Sequence, residues 1–491
     1  MGNKKLKLNF EQYKDSVYAC WIGKNIGGTM GTPYEGKRQM FNIQGFATEA
    51  NVPLPNDDLD LQLVWLYALE SLGPNAIDAA ALGEYWISFI VPNWNEYGIS
   101  KNNMRRGLIP PISGDYENNW KDSNGAWIRT EIWACLAPGC PDIAAKYAVE
   151  DGKVDHGAGE GTFAAAFVAA MQSAAFVVKN LRKCIQIALA EIPENCRVAD
   201  SVRFVLDCYD RKMTPIETRN AVLTRNSDIG DGWFEAPSNV AYAILGLLYG
   251  EGDFKRSMIL AINCGDDTDC TGATVGSTMG ILYGVEGVPV DWRMHVGDEI
   301  ITKSFDTIVL NRKVPHSCTE LTERVVKQSP NVLLSNHADV VFTEEKTSYL
   351  AEDAEFILTN CKFRSILDEL KPFAMHFDSV FAEVDAYLES APDILPGEQK
   401  RVTLAIRSKG LGFNESAYNL SMRWWLPEGF SVVSGRKTVI LPRKDPHSDH
   451  CCKTEFMIQA GESVSVENRC VLEICASGRF KPMYIPILFL G

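Results

Sequence analysis

From about residue 10 to about residue 310, apolar positions recur at helical spacing in segments rich in small residues. Leu59 to Leu72 keeps that period and closes on Gly73-Pro74. Pro141 predicts the start of a short helix running to Val149, because proline lacks a donor that the first turn has no use for. Phe163 to Leu181 predicts the most apolar helix. Its alanines and the interruption at Gln172-Ser173 make it a buried helix, not a membrane span. Ser238 is expected to cap a helix that runs to Tyr249 and ends at Gly250, and Asp253 to cap the next, Phe254 to Ile262. Gly272, Gly276 and Gly280 fall on one helix face, where small residues let a second backbone come close.

Past about residue 340 the period shortens. Strands are predicted at Glu355 to Lys362, Arg401 to Lys409, Tyr418 to Trp425, Phe430 to Val433 and Thr438 to Leu441. Further ones follow at Val464 to Val466, Cys470 to Cys475 and Met483 to Leu490, with turns at Pro427-Glu428-Gly429 and Ser434-Gly435-Arg436. The pattern suggests a β-sandwich of roughly seven or eight strands. The expected organisation is a helical domain over 10–310, a connecting segment over 311–350 and an Ig-like β-sandwich over 351–491.

Composition changes the picture in two ways. At 491 residues the chain exceeds one comfortable core, and 46% hydrophobic with 23% charged residues is ordinary for a globular protein. A net charge of −15 disfavours nucleic acid and suits a small substrate or a divalent cation. The first ten residues lack a secretory apolar stretch and no membrane segment stands out, so a cytoplasmic location is expected. The 14 cysteines lack paired zinc spacings and read as reduced thiols. His447, His450, Cys451 and Cys452 read as an exposed loop in preference to a soft-metal site.

Candidate chemistry sits in three acidic patches. The first is Gly27-Gly28-Thr29-Met30-Gly31-Thr32-Pro33-Tyr34-Glu35, read as a glycine-rich turn ending in a carboxylate. The second is Asn56-Asp57-Asp58, just before an apolar helix. The third is Gly265-Asp266-Asp267-Thr268-Asp269-Cys270, leading into the glycine-faced helix. Each alone reads as a helix cap with charge favoured by the dipole. Gathered together, Glu35, Asp57, Asp58, Asp267 and Asp269 would repel one another unless a hard cation joined them, magnesium first, with manganese or calcium as competitors.

With these patches in this order, the chain over about residues 15 to 290 resembles the ADP-ribosylglycohydrolase family, relatives of the dinitrogenase reductase-activating glycohydrolase. The middle segment Gly125-Ala126-Trp127-Ile128-Arg129, followed by Pro138-Gly139 and by Asp151 and His156, also fits. The resemblance implies a mainly α protein, its all-helical catalytic domain holding a binuclear magnesium centre and followed here by the sandwich. It implies Asn56, Asp57, Asp58, Asp267 and Asp269 as metal ligands, Glu35 as the mobile acid at the mouth, and Glu35, Asp58 and Asp267 as the catalytic set. Bound cations would fix a sugar's hydroxyls and orient a water near the anomeric carbon.

Four positions depart from the family pattern. Gly28 stands where Asp often follows Gly, Asn56 at a Ser/Thr position, Asp266 at a Gly, and Cys270 at a Thr. A thiol is a poor magnesium ligand, so one metal position is weakened, rebuilt by Thr271 or Asp266, or lost, leaving one or two ions. Candidate substrate contacts are Asn119 and Trp120, in a loop that also holds Arg105-Arg106 and Pro110-Pro111; a solvated crossing loop is the competing reading. Arg129, His156, Glu160 and Trp233 are further candidates. An ion pair between helices competes at Arg129, capping at His156 and plain packing at Trp233. The leading expectation is hydrolysis of a glycosidic bond at ADP-ribose on a protein or small molecule. The alternatives are a glycoside or nucleoside hydrolase on the same scaffold and a non-catalytic sugar- or nucleotide-binding protein. Oligomeric state is not indicated.

Overall fold

The structure is a computed structural model that describes residues 4–230, 233–310, 312–410, 417–444 and 451–491. It divides into two units, residues 1–101 with 118–370, and residues 102–117 with 371–491.

The first unit is built on helix α1, Phe10–Gly31, whose start is fixed by the Asn9 side chain accepting from the Gln12 N–H. Helix α2 spans Asp57–Leu72 and helix α3 spans Thr268–Tyr283. The glycine face of α3 meets a matching face of α1. A Cβ on Gly276 would lie 2.1 Å from the Gly23 carbonyl oxygen, one on Gly27 2.1 Å from that of Gly272, and one on Gly280 2.2 Å from that of Ala19. Hence the expected turn at Gly27 to Gly31 is a correction: those residues form the buried last turn of α1, and only Thr32–Tyr34 turns, as one turn of 3-10 helix. Interior glycine costs a helix about 1 kcal/mol per residue. Here the cost is offset by backbone contact that no larger residue permits.

Other helices differ at their ends. The helix opened by Pro141 runs on to Asp155, and the apolar stretch is Glu160–Ala175, with Leu181 opening a separate helix capped by Asn180. Ser238 lies inside Ala236–Tyr249, where Pro237 occupies the first turn and Glu235 the cap, whereas Asp253 caps its helix by accepting from the Arg256 N–H. Glu355 to Lys362 is not a strand. Ala351–Asn360 is helical, and Asp353, Ala354 and Ile357 share its buried face, a helical spacing that its Ile and Thr content disguised. The 311–350 stretch carries a helix, Cys318–Ser335, and strand β2, Val340–Thr343, which pairs in parallel with β1, Leu6–Asn9. Among the described residues no helix is long and apolar enough to cross a membrane.

The second unit holds two antiparallel sheets. Strands β3 (Ala374–Asp378), β4 (Ala382–Leu388), β5 (Gln399–Ser408), β6 (Tyr418–Trp425), β7 (Ser431–Gly435), β8 (Thr438–Leu441), β9 (Cys451–Gln459), β10 (Glu467–Ala476) and β11 (Met483–Leu490) are ordered β3-β4-β5-β9-β7 and β11-β10-β6-β8. Side chains alternate along β4 between buried and half-buried, and Val384, Leu404 and Phe456 of one sheet share a core with Leu420, Leu472 and Ile485 of the other. Residues 102–117 belong to this unit, because Leu108, Ile112 and Tyr116 enter that core and the Tyr116 hydroxyl donates to Asp393 at 2.6 Å. The Pro110-Pro111 segment is therefore packed sandwich and not a solvated loop. Val464 to Val466 is outside any strand. Cys451 and Cys452 open β9 opposite Arg407 and Ile406, while His447 and His450 lie outside the described residues. No disulfide joins the described cysteines.

The glycine contact gives a sign-reversing test. In an exposed helix Gly→Ala stabilises by about 1 kcal/mol, but Gly276→Ala is expected to destabilise by about 1–3 kcal/mol, since its methyl must displace the α1 backbone. Gly45→Ala, with nothing within 4 Å of the added methyl, is the control and is expected to be near neutral. Urea unfolding midpoints read both; an unchanged midpoint for Gly276→Ala would mean that the helices do not touch there.

Candidate active site and metal centre

The α1–α3 contact brings two chain ends together. A Cβ on Gly31 would lie 2.3 Å from the Thr268 carbonyl oxygen, so Glu35, one short turn beyond α1, is delivered to the start of α3. There Asp267 is the cap residue and Asp269 stands in the first turn, while α2 presents Asp57 and Asp58 from its own first turn, with Asn56 as cap. The four aspartates thus sit at positive helix ends, where backbone N–H groups favour negative charge.

The patches converge. Ligand atoms of Glu35, Asp267 and Asp269 lie within 4.8 Å of one another, and so do those of Asp58, Asp269 and Cys270. Asp57 stands beside them, its Oδ1 3.6 Å from the Lys303 ammonium and its Oδ2 accepting from the Tyr97 hydroxyl at 3.3 Å. Asp58, Asp267 and Asp269 are buried, and Asp58 Oδ2, Asp267 Oδ1 and Asp269 Oδ1 have no hydrogen-bond partner. A buried carboxylate oxygen left without a hydrogen bond is costly, and the pair on Asp267 and Asp269 fits a cation.

Protonation follows the same logic. Burial, then the neighbouring carboxylates, push Asp267 well above the usual carboxylate range; burial does the same to Asp58 against the pull of Lys24, and raises Asp269. Glu35, at the exposed mouth, is pushed up to about 8 by the Asp269 charge first, then by desolvation and Asp57, with Lys303 opposing. Burial lowers the Lys303 ammonium, but Asp57, Asp269 and Glu35 outweigh it and keep the group charged.

Several contacts were not visible as sequence motifs. Asn124 donates to Asp267 Oδ2 at 2.6 Å and accepts from the Trp127 indole at 2.8 Å. Lys24, fully buried in α1, donates to the Ile128 carbonyl at 2.7 Å and pairs with Glu131 at 3.0 Å and with Asp58 Oδ2 at 3.9 Å. A charged residue among Trp21, Ile22 and Ile26 was the available signal for Lys24; Lys303 had none. Two departures prove to be one exchange. A Cβ on Gly28 would fall 2.1 Å from the Asn56 amide nitrogen, so the larger Asn56 occupies room that only glycine leaves. Asp266 turns away from the cluster, accepting from the Phe234 N–H and the Asn239 amide and pairing with Arg38 at 3.6 Å. The Thr271 hydroxyl donates to the Thr268 carbonyl at 3.3 Å.

The expected substrate residues separate into two groups. Trp233 is exposed beneath the Arg38 guanidinium, 5.8 Å from its ring, on the loop that Asp266 anchors. Asn119 is exposed and Trp120 half-buried, on the loop that continues to Ser123 and Asn124. Arg129, His156 and Glu160 are each engaged with partners inside the helical unit. Arg129 is fully buried, donates to Asp151 at 2.9 Å and Asp155 at 2.8 Å, and stacks 4.7 Å from the Trp86 ring. The His156 ring meets Asp155 at 2.8 Å and Ser123 at 3.3 Å, and Glu96 joins them in a second buried acid–histidine cluster. The Glu160 carboxylate caps the helix Arg197–Asp210 by accepting from the Arg197 and Val198 N–H groups. Sequence spacing could not distinguish these from site residues, since a buried ion pair and a ligand contact use the same side chains.

The family described as ADP-ribosylglycohydrolase matches residues 10–326, more than half of the chain. The "ADP-ribosylarginine hydrolase Tri1" of Pseudomonas putida (strain GB-1) is 40% identical over 50 residues, which are 10% of this chain and 14% of that protein's length. The solved "ADP-ribosylglycohydrolase-related protein complex" shares 19% identity over 65% of this chain and 99% of its own, with a TM-score of 0.43. A FixG-related protein from Vibrio parahaemolyticus shares 9% identity over 23% of this chain and 97% of its own, with a TM-score of 0.18. With its three acidic segments drawn to one place and the family match spanning the helices that carry them, the chain belongs to the ADP-ribosylglycohydrolase family.

Proposed function

We propose that the helical unit hydrolyses a glycosidic bond at ADP-ribose, with a divalent ion, magnesium before manganese or calcium, held among Glu35, Asp57, Asp58, Asp267 and Asp269. The observation that carries this reading is the pair of buried oxygens without a hydrogen bond on Asp267 and Asp269, beside Glu35, within a chain of this family. The local similarity to an ADP-ribosylarginine hydrolase makes arginine-linked ADP-ribose the first substrate to test. A bound divalent ion would supply a fixed positive charge that orients sugar hydroxyls and acidifies a water. The residues of the chain do the rest. Glu35, at the exposed mouth, holds the ion as a carboxylate together with Asp267 and Asp269. Asp267, held by Asn124, keeps its second oxygen directed into the cluster. The buried carboxylates offset the positive charge that develops on the sugar ring as the bond breaks. Trp233, exposed beside Arg38, offers a stacking surface for a base.

Release of ADP-ribose from ADP-ribosylarginine or ADP-ribosylated protein is expected with Mg2+ and not after EDTA. Asp267→Asn, which keeps the side-chain shape, is expected to lower the rate by at least about a hundredfold without lowering metal-free stability. Turnover of aryl glycosides or nucleosides alone would move the assignment to the glycosidase alternative. EDTA-resistant hydrolysis would remove the metal from the account.

The raised carboxylates also fix a pH dependence. A carboxyl held above its unfolded value favours the folded state fully below that value, and the contribution is lost as pH climbs through the folded one. Asp60 and Glu96, each raised to about 7 by burial, act in the same direction as Glu35 and the cluster aspartates. Metal-free protein is therefore expected to melt at lower temperature at about pH 8 than at about pH 5, and Mg2+ to raise the melting temperature more at the higher pH. An equal Mg2+ effect at both would show that the cation does not bind these carboxylates.

A further inference from the structure

We propose that the centre holds one hard divalent ion, between Glu35, Asp267 and Asp269, and that the adjoining position between Asp58 and Asp269 is closed to a second by the Cys270 thiol and the Lys24 ammonium. The inference rests on the metal-dependent reading above and departs from the binuclear centre that the family resemblance implies.

The two ligand groups share Asp269 but differ in chemistry. In the first every donor is a carboxylate oxygen, and Asp267 Oδ1 and Asp269 Oδ1 are buried without a hydrogen bond. Such a set suits magnesium, which takes oxygen ligands and keeps several waters. In the second, the third donor is sulfur, and the thiol is already engaged, donating to Asp58 Oδ1 at 3.3 Å. Hard ions compete poorly for sulfur.

The other Asp58 oxygen faces Lys24, whose ammonium lies 3.9 Å from Oδ2. That ammonium is 1% exposed and anchored at its far side by the Ile128 carbonyl at 2.7 Å and Glu131 at 3.0 Å. Glu131 is in turn held by Gln62 at 2.9 Å and Ser277 at 3.0 Å. The positive charge is thus fixed and cannot swing to solvent when a dication arrives. A second ion ligated by Asp58 would sit within a few ångströms of it in a poorly screened interior. The Asn56 Oδ1 already accepts from the Asp58 N–H at 2.8 Å, as the cap of α2. Asp58 becomes a positioning residue, held by Lys24 and Cys270 beside the ion.

The test counts ions directly. Metal-free full-length protein is titrated with Mn2+ as the probe, bound ion being measured by calorimetry and by loss of the free-ion electron paramagnetic resonance signal. One equivalent per chain is expected. A second equivalent, with hydrolysis still abolished by EDTA, would overturn this proposal and leave the metal-dependent function standing. No bound Mn2+ would overturn both. Replacing the closing groups together, Lys24→Met with Glu131→Gln and Cys270→Thr, removes the fixed charge with its counter-charge and restores a hydroxyl. The folded triple variant is expected to bind a second equivalent, and one that stays at a single ion overturns the assigned cause. If the variant does not fold, the wild-type count decides.

Discussion

Backbone against backbone, α1 and α3 meet along a line of glycines, and nearly every feature of the site follows from that contact. Ala19, Gly23, Gly27 and Gly31 on one helix face Gly280, Gly276, Gly272 and Thr268 on the other. Side chains of ordinary size would hold the axes apart. With them in contact, the end of one helix abuts the beginning of the other, and the carboxylate that follows the first, Glu35, is within reach of the pair that opens the second. Residues more than two hundred positions apart become neighbours by virtue of small residues, none of which does chemistry.

That closeness imposes an electrostatic problem on the fold. Several carboxylates share a buried volume whose resident cations are Lys24 and Lys303, and Lys24 also serves Glu131. Helix N-termini offset part of the repulsion, since Asp57, Asp58, Asp267 and Asp269 all stand at or in a first helical turn. The remainder appears as carboxyl groups that hold their protons far more tightly than free side chains do. Such strain is tolerated at functional sites, where a ligand relieves it. Beneath the acids, Gln62, Glu131, Gln172 and Ser277 form a hydrogen-bonded layer that joins α1, α2 and α3 and keeps Lys24 in place.

Much of this was legible in the residues. The helical period, the change to strands and the glycine face of α3 are local patterns, and local patterns survive folding. The three acidic segments were legible because their order and spacing match a family, although only the fold shows that they meet. What the sequence concealed was non-local or ambiguous in period. Gly27 to Gly31 look like a turn until their partner helix is known. Ala351–Asn360 carries strand-favouring residues on a helical face. Residues 102–117 interrupt the helical pattern because they complete a core made by strands some three hundred residues later. Arg129, His156 and Glu160 have the chemistry of site residues, and only the fold shows the partners they hold.

Glu35, Asp267 and Asp269 are proposed to hold one divalent ion jointly, although they come from opposite ends of the helical unit. Anomalous diffraction from a crystal soaked in Mn2+ tests it most directly. A single strong peak is expected within coordination distance of all three carboxylates. A peak that none of them touches, or no peak among these helices at all, would contradict it.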